Sequence, residues 1–205
     1  MTPFAAIVGG GAAGFFGAAL AHVLTTIATR FGAESWLRGP YGTQFFPLAL
    51  YLGVLYSAIG FAAGRSVKTA LLGFSGPFFG IAVPMALLTH LALMKDLPRG
   101  NAWAWSWFWV VIIIQSVALW GGIALMGAFS AATSRWRGAV AAVLGSLAAY
   151  GMLSFLLWAV PSYGQGRWNP ASFLPSPVTL MDGLLSGACL CLALSLDAKF
   201  RRNTA

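Results

Sequence analysis

Charged side chains are scarce in this chain of 205 residues, and acidic side chains are the scarcest of all. Charged residues make up 8% of the sequence, whereas a soluble domain carries roughly 25%. Cysteine is also rare. Cys189 and Cys191 are two positions apart, so on a helix they point to different sides, a spacing that suits neither a local disulfide nor a metal site. The low charge excludes a water-soluble globular domain.

Long hydrophobic runs take the place of the missing charge. Hydrophobic residues make up 59% of the chain, and its mean hydropathy is +0.80. A helix that spans a bilayer needs about 20 predominantly apolar residues. Six stretches meet this requirement: Phe4 to Arg30, Phe45 to Gly64, Thr69 to Met94, Ser106 to Phe129, Ala139 to Val160, and Val178 to Leu196. We therefore predict an all-α polytopic bundle of six transmembrane helices, forming one integral membrane domain over residues 1–205.

The basic residues predict how this bundle is oriented. The segments Arg65–Lys68 and Arg135–Arg137, together with Lys199, Arg201 and Arg202, carry seven Lys and Arg residues. The loops on the opposite side carry five: Arg30, Arg38, Lys95, Arg99 and Arg167. The positive-inside rule then predicts a protein of the cytoplasmic (inner) membrane with both termini in the cytoplasm. Because the basic residues are spread over all the loops, their distribution argues against a nucleic-acid partner.

Polar residues within the predicted helices concentrate in the outer half of the bundle. Ionisable residues inside a membrane are energetically costly and are candidates for function by default. Both histidines also fall in rows of small residues, which predicts that they face protein rather than lipid. We predict a polar ligand pocket in the outer half, formed by His22, His90, Gln115, Asp182, Tyr51 and Ser154.

The three outer loops share a composition of Arg beside Gly, with Trp or Tyr close by. Arg binds carboxylate and phosphate groups through a planar fork and stacks on aromatic rings. One hypothesis is therefore a cationic, aromatic-lined entrance for an anionic lipid headgroup, an acidic solute or an acidic patch on a partner. The alternative is a belt of aromatic anchors at the headgroup level, with each Arg contacting a lipid phosphate singly. The entrance residues would be Arg38, Arg99, Arg167, Trp36, Trp103 and Trp168.

Alternate tryptophans also occupy positions 103, 105, 107 and 109. Residues two apart on a helix cannot all share one side. The spacing therefore predicts that part of this run is extended or interfacial.

Small residues recur at helical spacing in four of the predicted helices. Such rows allow the close backbone approach on which helix association in lipid depends. We predict packing seams at Gly10-Gly14-Ala18-His22, at Gly73-Gly76-Gly80-Val83-Leu87-His90, at Gly138-Ala142-Gly145-Ala149 and at Gly183-Gly187-Cys191.

Motifs for catalysis are weak. Gly73-Phe74-Ser75-Gly76 resembles the serine motif of rhomboid intramembrane proteases, which are also six-helix bundles. The resemblance implies a histidine base on a later helix, but the later histidine here, His90, lies on the same predicted helix as Ser75. A serine without a base in reach is not activated. No other spacing points to a catalytic residue or to a metal site.

These observations favour a non-enzymatic membrane protein, either a small permease or the membrane subunit of a larger complex. The alternative is an electron-transfer subunit that binds haem or a chlorin pigment through His22 and His90, two histidines at similar depth. A third hypothesis is an enzyme acting on lipid or lipid-linked substrates, with Asp182 beneath the loops rich in Arg and Trp. The expected partners are the lipid bilayer and either other membrane subunits or further copies of the chain.

Overall fold

The computed structural model describes residues 2–30, 42–90, 102–130, 134–159 and 173–202, with side chains omitted at 42–45, 85–90, 102–105 and 200–202. Every secondary-structure element in these ranges is helical. The six helices are α1 (Pro3–Ala28), α2 (Gly42–Gly64), α3 (Val67–His90), α4 (Ala102–Ser130), α5 (Arg135–Ala159) and α6 (Pro177–Arg202). Each contains a stretch long and apolar enough to cross a membrane. The predicted six-helix membrane fold is thus confirmed.

The helices begin at the residues expected from capping chemistry. Thr2, Ser66 and Ser176 precede α1, α3 and α6, and each side-chain oxygen accepts a hydrogen bond from a backbone N–H of the first turn. Between α2 and α3 the chain reverses at Arg65, whose φ of 48° lies in the left-handed region. That conformation ends α2 and allows α3 to start two residues later.

Successive helices run antiparallel and close into a ring. Each helix packs against the next, α6 returns to α1, and α2 also touches α4 and α6 across the ring. We call the end where α1, α3 and α5 finish the long-loop side, and the opposite end the short-turn side. On α2, α1 packs near Leu55 and Ala58, while α3 packs near Gly53 and Gly60. These positions lie on opposite faces, so α2 separates α1 from α3.

The tightest contact in the bundle is the seam between α1 and α6. A methyl group added at Gly14 would collide with the carbonyl oxygen of Gly183, and one added at Gly187 would collide with that of Gly10. Backbone therefore meets backbone along this seam, which is the packing that small residues allow in lipid. Gly76 of α3 and Gly122 of α4 approach each other in the same way.

The long-loop halves of α4 and α5 are packed far more loosely. On α5 the buried residues end at Ala149, and none of residues 150–159 is buried. On α4, Val111 is the buried residue among positions 106–118. Large apolar side chains fill both stretches, including Ile113 and Val117 of α4 and Phe155 of α5, all more than half exposed. Within the described residues these faces are not covered by protein.

Two sequence-based expectations are refined by the helices observed. Several helices are longer than their apolar cores, because charged and aromatic residues continue them beyond the hydrophobic window. The prediction that part of the 103–109 tryptophan run is extended is wrong, since α4 is helical from Ala102. Trp107 and Trp109 are 42% and 58% exposed. A helix that is exposed on several sides can present tryptophan in several directions, so the alternate spacing does not require extended chain. The other alternative, that part of the run is interfacial, stays a prediction.

Candidate functional site: a cavity between four helices

A cavity of about 570 Å³ lies between α2, α4, α5 and α6. It begins near the middle of the bundle and extends toward the long-loop side. Its size falls in the range of sites that bind small organic molecules. The residues that line it are Leu48, Tyr51, Leu52, Tyr56, Leu119, Trp120, Ile123, Ser146, Leu147, Tyr150, Leu153, Val178, Thr179, Asp182 and Ser186.

The cavity exists because α5 covers only part of one face of α6. Gly145 of α5 packs closely on Cys189 and Leu190 of α6. Asp182 and Ser186 lie on the same face of α6, one to two turns nearer the long-loop side. Beyond Ala149 the row of small residues on the packed face of α5 is continued by bulky ones such as Leu153, so the close approach ends and a space opens above this part of α6.

One wall of the cavity is polar and is built around Asp182. The Tyr51 hydroxyl lies 3.1 Å from Asp182 Oδ2 and 3.3 Å from the carbonyl oxygen of Thr179. The Ser186 hydroxyl donates to Asp182 Oδ1 over 3.4 Å. The Tyr51 contacts join α2 to α6 across 131 positions of sequence. Both carboxyl oxygens of Asp182 therefore have hydroxyl partners, and the group is held in a fixed orientation.

A second polar cluster lies deeper in the cavity. Tyr56 is buried and lines the cavity together with Ser146 and Ser186. Ser146 is only 3% exposed, and its oxygen has no hydrogen-bond partner among the described residues. A buried hydroxyl without a partner costs about 1–3 kcal/mol. Ser146 thus offers a cavity ligand a hydrogen bond that the protein itself does not use.

The remaining walls are apolar and aromatic, and the cavity is open beside α5. Trp120 and Ile123 of α4 form the side opposite Asp182. The most exposed lining residues are Leu48 at 40%, Leu147 at 45% and Tyr150 at 70%. Leu147 and Tyr150 lie near the middle of α5, so this opening reaches the depth of the bilayer.

The structure brings together two of the residues that the sequence singled out for a pocket, Tyr51 and Asp182. Ser154 is exposed on α5 and does not line the cavity. Gln115 lies on the side of α4 that faces α3, and His22 is fully buried on α1. Neither side chain is part of the cavity lining.

The other candidate residues lie outside the described part of the structure. This holds for Arg38, Arg99, Arg167, Trp36 and Trp168, and for the side chains of Trp103 and His90. The loop entrance and the two-histidine site therefore stay predictions. His22 and His90 belong to α1 and α3, the helices that pack on opposite faces of α2.

Four polar lining residues were not predicted: Tyr56, Ser146, Thr179 and Ser186. A faint signal for two of them exists, because Thr179, Asp182 and Ser186 recur at helical spacing on one face of α6. Nothing in the sequence links Ser146 or Tyr56 to that face. Ser75, from the motif resembling rhomboid proteases, donates its hydroxyl proton to the Leu72 carbonyl of its own helix and lines a separate groove between α3 and α4.

The cavity combines hydrogen-bonding groups on one wall with an apolar remainder, an arrangement suited to binding an organic molecule with a single polar end. No group of three or more His, Cys, Asp or Glu side chains that could hold a metal occurs within the described ranges. No family model matches this sequence, and no curated protein or solved structure is significantly similar to it.

Proposed function

We propose that this chain is a non-enzymatic membrane protein, a small permease or the membrane subunit of a larger complex, which binds a small organic molecule in the cavity between α2, α4, α5 and α6. The observation that carries the proposal is the Tyr51–Asp182 pair in the cavity wall. Asp182 lies five residues after the start of α6, roughly 8 Å along the helix axis. A carboxyl group at that depth, facing a cavity, is typical of ligand and ion pathways in membrane proteins.

The packing of the bundle supports binding in this cavity rather than elsewhere. The α1–α6 seam is closed by backbone contact and leaves no room for a ligand. The cavity, by contrast, is bordered by a helix half that has few packing partners, and such segments are the ones that move at low energetic cost. A movement of α5 beyond Ala149 would open or close the cavity without disturbing the seam.

We place the protein in the cytoplasmic membrane with both termini inside. The support is the excess of Lys and Arg on the short-turn side. Lys68 and Arg135 both lie over the ring of Phe129, at 3.8 and 5.0 Å from its centre, which fixes these cations at that side. A Val67→Cys variant should resist a membrane-impermeant thiol reagent added outside whole cells. Rapid labelling would show that the orientation is reversed.

The cavity itself is tested by thiol labelling. In a background with Cys189→Ala and Cys191→Ala, Ser146→Cys places a thiol in the cavity wall. Ala142→Cys is the matched control, because it lies one turn away on α5, is equally buried and does not line the cavity. We expect N-ethylmaleimide to modify the Ser146→Cys protein faster than the Ala142→Cys protein. We also expect triphenylmethanol, a neutral aromatic alcohol, to slow the reaction at position 146 alone.

Equal labelling of the two variants, or no protection by triphenylmethanol, would contradict ligand binding in the cavity. Purification in mild detergent followed by mass spectrometry then separates the two forms of the proposal. A stoichiometric partner protein indicates the subunit of a complex. Recovery of this chain alone favours a permease.

The haem or pigment hypothesis makes a different prediction for the same preparation. A Soret band that disappears in both His22→Ala and His90→Ala would support it and would contradict the present proposal. Absorption at 280 nm alone would favour the present proposal.

A further inference from the structure

We propose that the ligand of the cavity is a lipophilic organic cation, whose positive group lies at Asp182 and whose apolar body lies against α4 and α5. This inference rests on the proposed function, because it names the chemical class bound at the same site. It follows from three features of the cavity: the partners of Asp182, the aromatic lining and the opening at bilayer depth.

The first feature is the uncharged environment of Asp182 within the described residues. Its hydrogen-bond partners there are the hydroxyls of Tyr51 and Ser186. The acid–base ion pair in the described ranges joins Arg137 and Asp197 over 3.9 Å, toward the short-turn side and away from the cavity. A carboxylate inside a membrane is normally paired with a cation or aimed at a substrate. The cavity is large enough for a ligand that carries the cation itself.

The second feature is the set of aromatic rings in the lining. Tyr51, Tyr56, Trp120 and Tyr150 all border the cavity. The faces of aromatic rings attract cations, and the attraction reaches about 2 kcal/mol or more where water is excluded. A carboxyl group among aromatic rings is suited to an organic ammonium or phosphonium group. An anionic ligand would be repelled by the carboxylate and by the faces of the aromatic rings.

The third feature is the opening beside α5. Leu147 and Tyr150 border it in the middle of a transmembrane helix, and both are exposed. A ligand that occupies this opening contacts lipid, so its body must be apolar. The basic outer loops, which the sequence predicts as an entrance, would favour anions over this cation. A cation that enters from the bilayer through the opening beside α5 does not pass those loops.

Two probes of equal shape and opposite charge test the inference. Tetraphenylphosphonium is a cation and tetraphenylborate an anion, and both carry four phenyl rings. Equilibrium dialysis of the purified protein in detergent gives the affinity for each, and triphenylmethanol serves as the neutral reference. Both charged probes are measured on the wild type and on Asp182→Asn, which keeps the size of the side chain and removes the charge.

We expect Asp182→Asn to weaken tetraphenylphosphonium binding by at least about tenfold, in line with a lost charge-assisted contact. Triphenylmethanol should bind both proteins equally, and that result also shows that the variant is folded. Tetraphenylborate should bind Asp182→Asn no more weakly than the wild type. The wild type should bind tetraphenylphosphonium more tightly than tetraphenylborate.

The inference is overturned if the cation binds Asp182→Asn as tightly as the wild type while triphenylmethanol still binds. That result leaves the cavity as a site for neutral molecules. If Asp182→Asn does not fold, the decision passes to the wild type, and binding of tetraphenylborate as tight as that of tetraphenylphosphonium overturns the inference. Absence of triphenylmethanol binding to the wild type contradicts the proposed function itself, which keeps the two failures distinct.

Discussion

The α1–α6 pair and the α4–α5 pair are both strongly apolar, yet the seam between α1 and α6 and the long-loop halves of α4 and α5 pack in opposite ways. Of the most apolar window in α1, 39% of the residues are buried, against 17% in α4 and 22% in α5. The seam contains Gly10, Gly14, Gly183 and Gly187, whose backbones touch. The exposed halves contain aromatic and branched side chains that face outward.

This comparison shows that side-chain size rather than hydrophobicity decides which helices associate in lipid. Apolar side chains gain little by leaving lipid for protein, so close van der Waals contact is the remaining stabilisation. Where the small residues of α5 end at Ala149, the contact ends as well, and the cavity begins. The candidate site is thus a consequence of how far the seams extend.

The largest expected effect on stability comes from adding a methyl group within the α1–α6 seam. Gly14→Ala places a methyl group against the carbonyl of Gly183, which neither backbone can avoid without moving. Overpacking of this kind costs about 1–3 kcal/mol. We expect a lower temperature at which the purified protein loses its monodisperse peak in size-exclusion chromatography.

Gly151→Ala on α5 is the matched control for this substitution. No atom lies within 4 Å of an added methyl group at that position. Alanine also favours helix over glycine by about 1 kcal/mol, so stability should stay equal or rise. Equal losses in the two variants would show that the seam is no tighter than the exposed half.

An intermediate loss of stability is expected when the hydrogen bonds that join α2 to α6 are removed. Tyr51→Phe removes the hydroxyl that contacts Asp182 and the Thr179 carbonyl. The loss should be about 1 kcal/mol, the usual net value of a hydrogen bond. The measurement is the same thermal assay, with the exposed Tyr150→Phe as the control that should not change. A shift shared by both variants would argue against a bond specific to Tyr51.

A smaller effect on stability, and of opposite sign, is expected at Ser146. Its hydroxyl is buried and has no hydrogen-bond partner in the described residues, so Ser146→Ala should leave stability unchanged or raise it by up to about 1 kcal/mol. Protection and dialysis assays with triphenylmethanol should nevertheless show weaker binding. A hydroxyl that helps binding but not folding marks a functional site. Unchanged binding would remove Ser146 from the site.

The smallest effect on folding is expected at the loop arginines. Arg38→Ala, Arg99→Ala and Arg167→Ala should each alter stability by no more than about 1 kcal/mol, as for exposed ion pairs. If the loops form a shared entrance, at least one of these changes abolishes binding of an anionic ligand or complex assembly while the protein still inserts. Intact function in all three variants would leave the aromatic belt as an anchor only.

Prediction from sequence succeeded for properties that depend on the residues of one helix alone. The six spans follow from hydropathy, and the rows of Gly and Ala correctly marked the surfaces that meet. Prediction failed for properties that depend on which other helices pack against a given helix. The tryptophan run of α4 was predicted to be partly extended or interfacial because one packed side was assumed, and the extended alternative failed because this part of α4 is a helix exposed on several sides.

The predicted pocket residues show the same difference between properties of one helix and properties that depend on its neighbours. Depth along each helix drew attention to Tyr51 and Asp182, which the structure places together in the cavity wall, because depth follows from counting residues. Gln115 and Ser154 lie at similar depth but point elsewhere, toward α3 and toward lipid. Rotation about the helix axis relative to the other helices decides this, and a weakly amphipathic membrane helix carries little sequence information about its rotation.

The sequence by itself determined that this protein has six helices long and apolar enough to span a membrane, and that small residues on four of them allow close approach. Both properties depend on local composition, since apolar length sets the spans and small side chains set the approach. Only the tertiary structure decided that Tyr51 of α2 meets Asp182 of α6, and that Tyr56 and Ser146 belong to the same cavity. Those contacts join residues far apart in sequence. They depend on the point at which α5 leaves α6, which no single helix specifies.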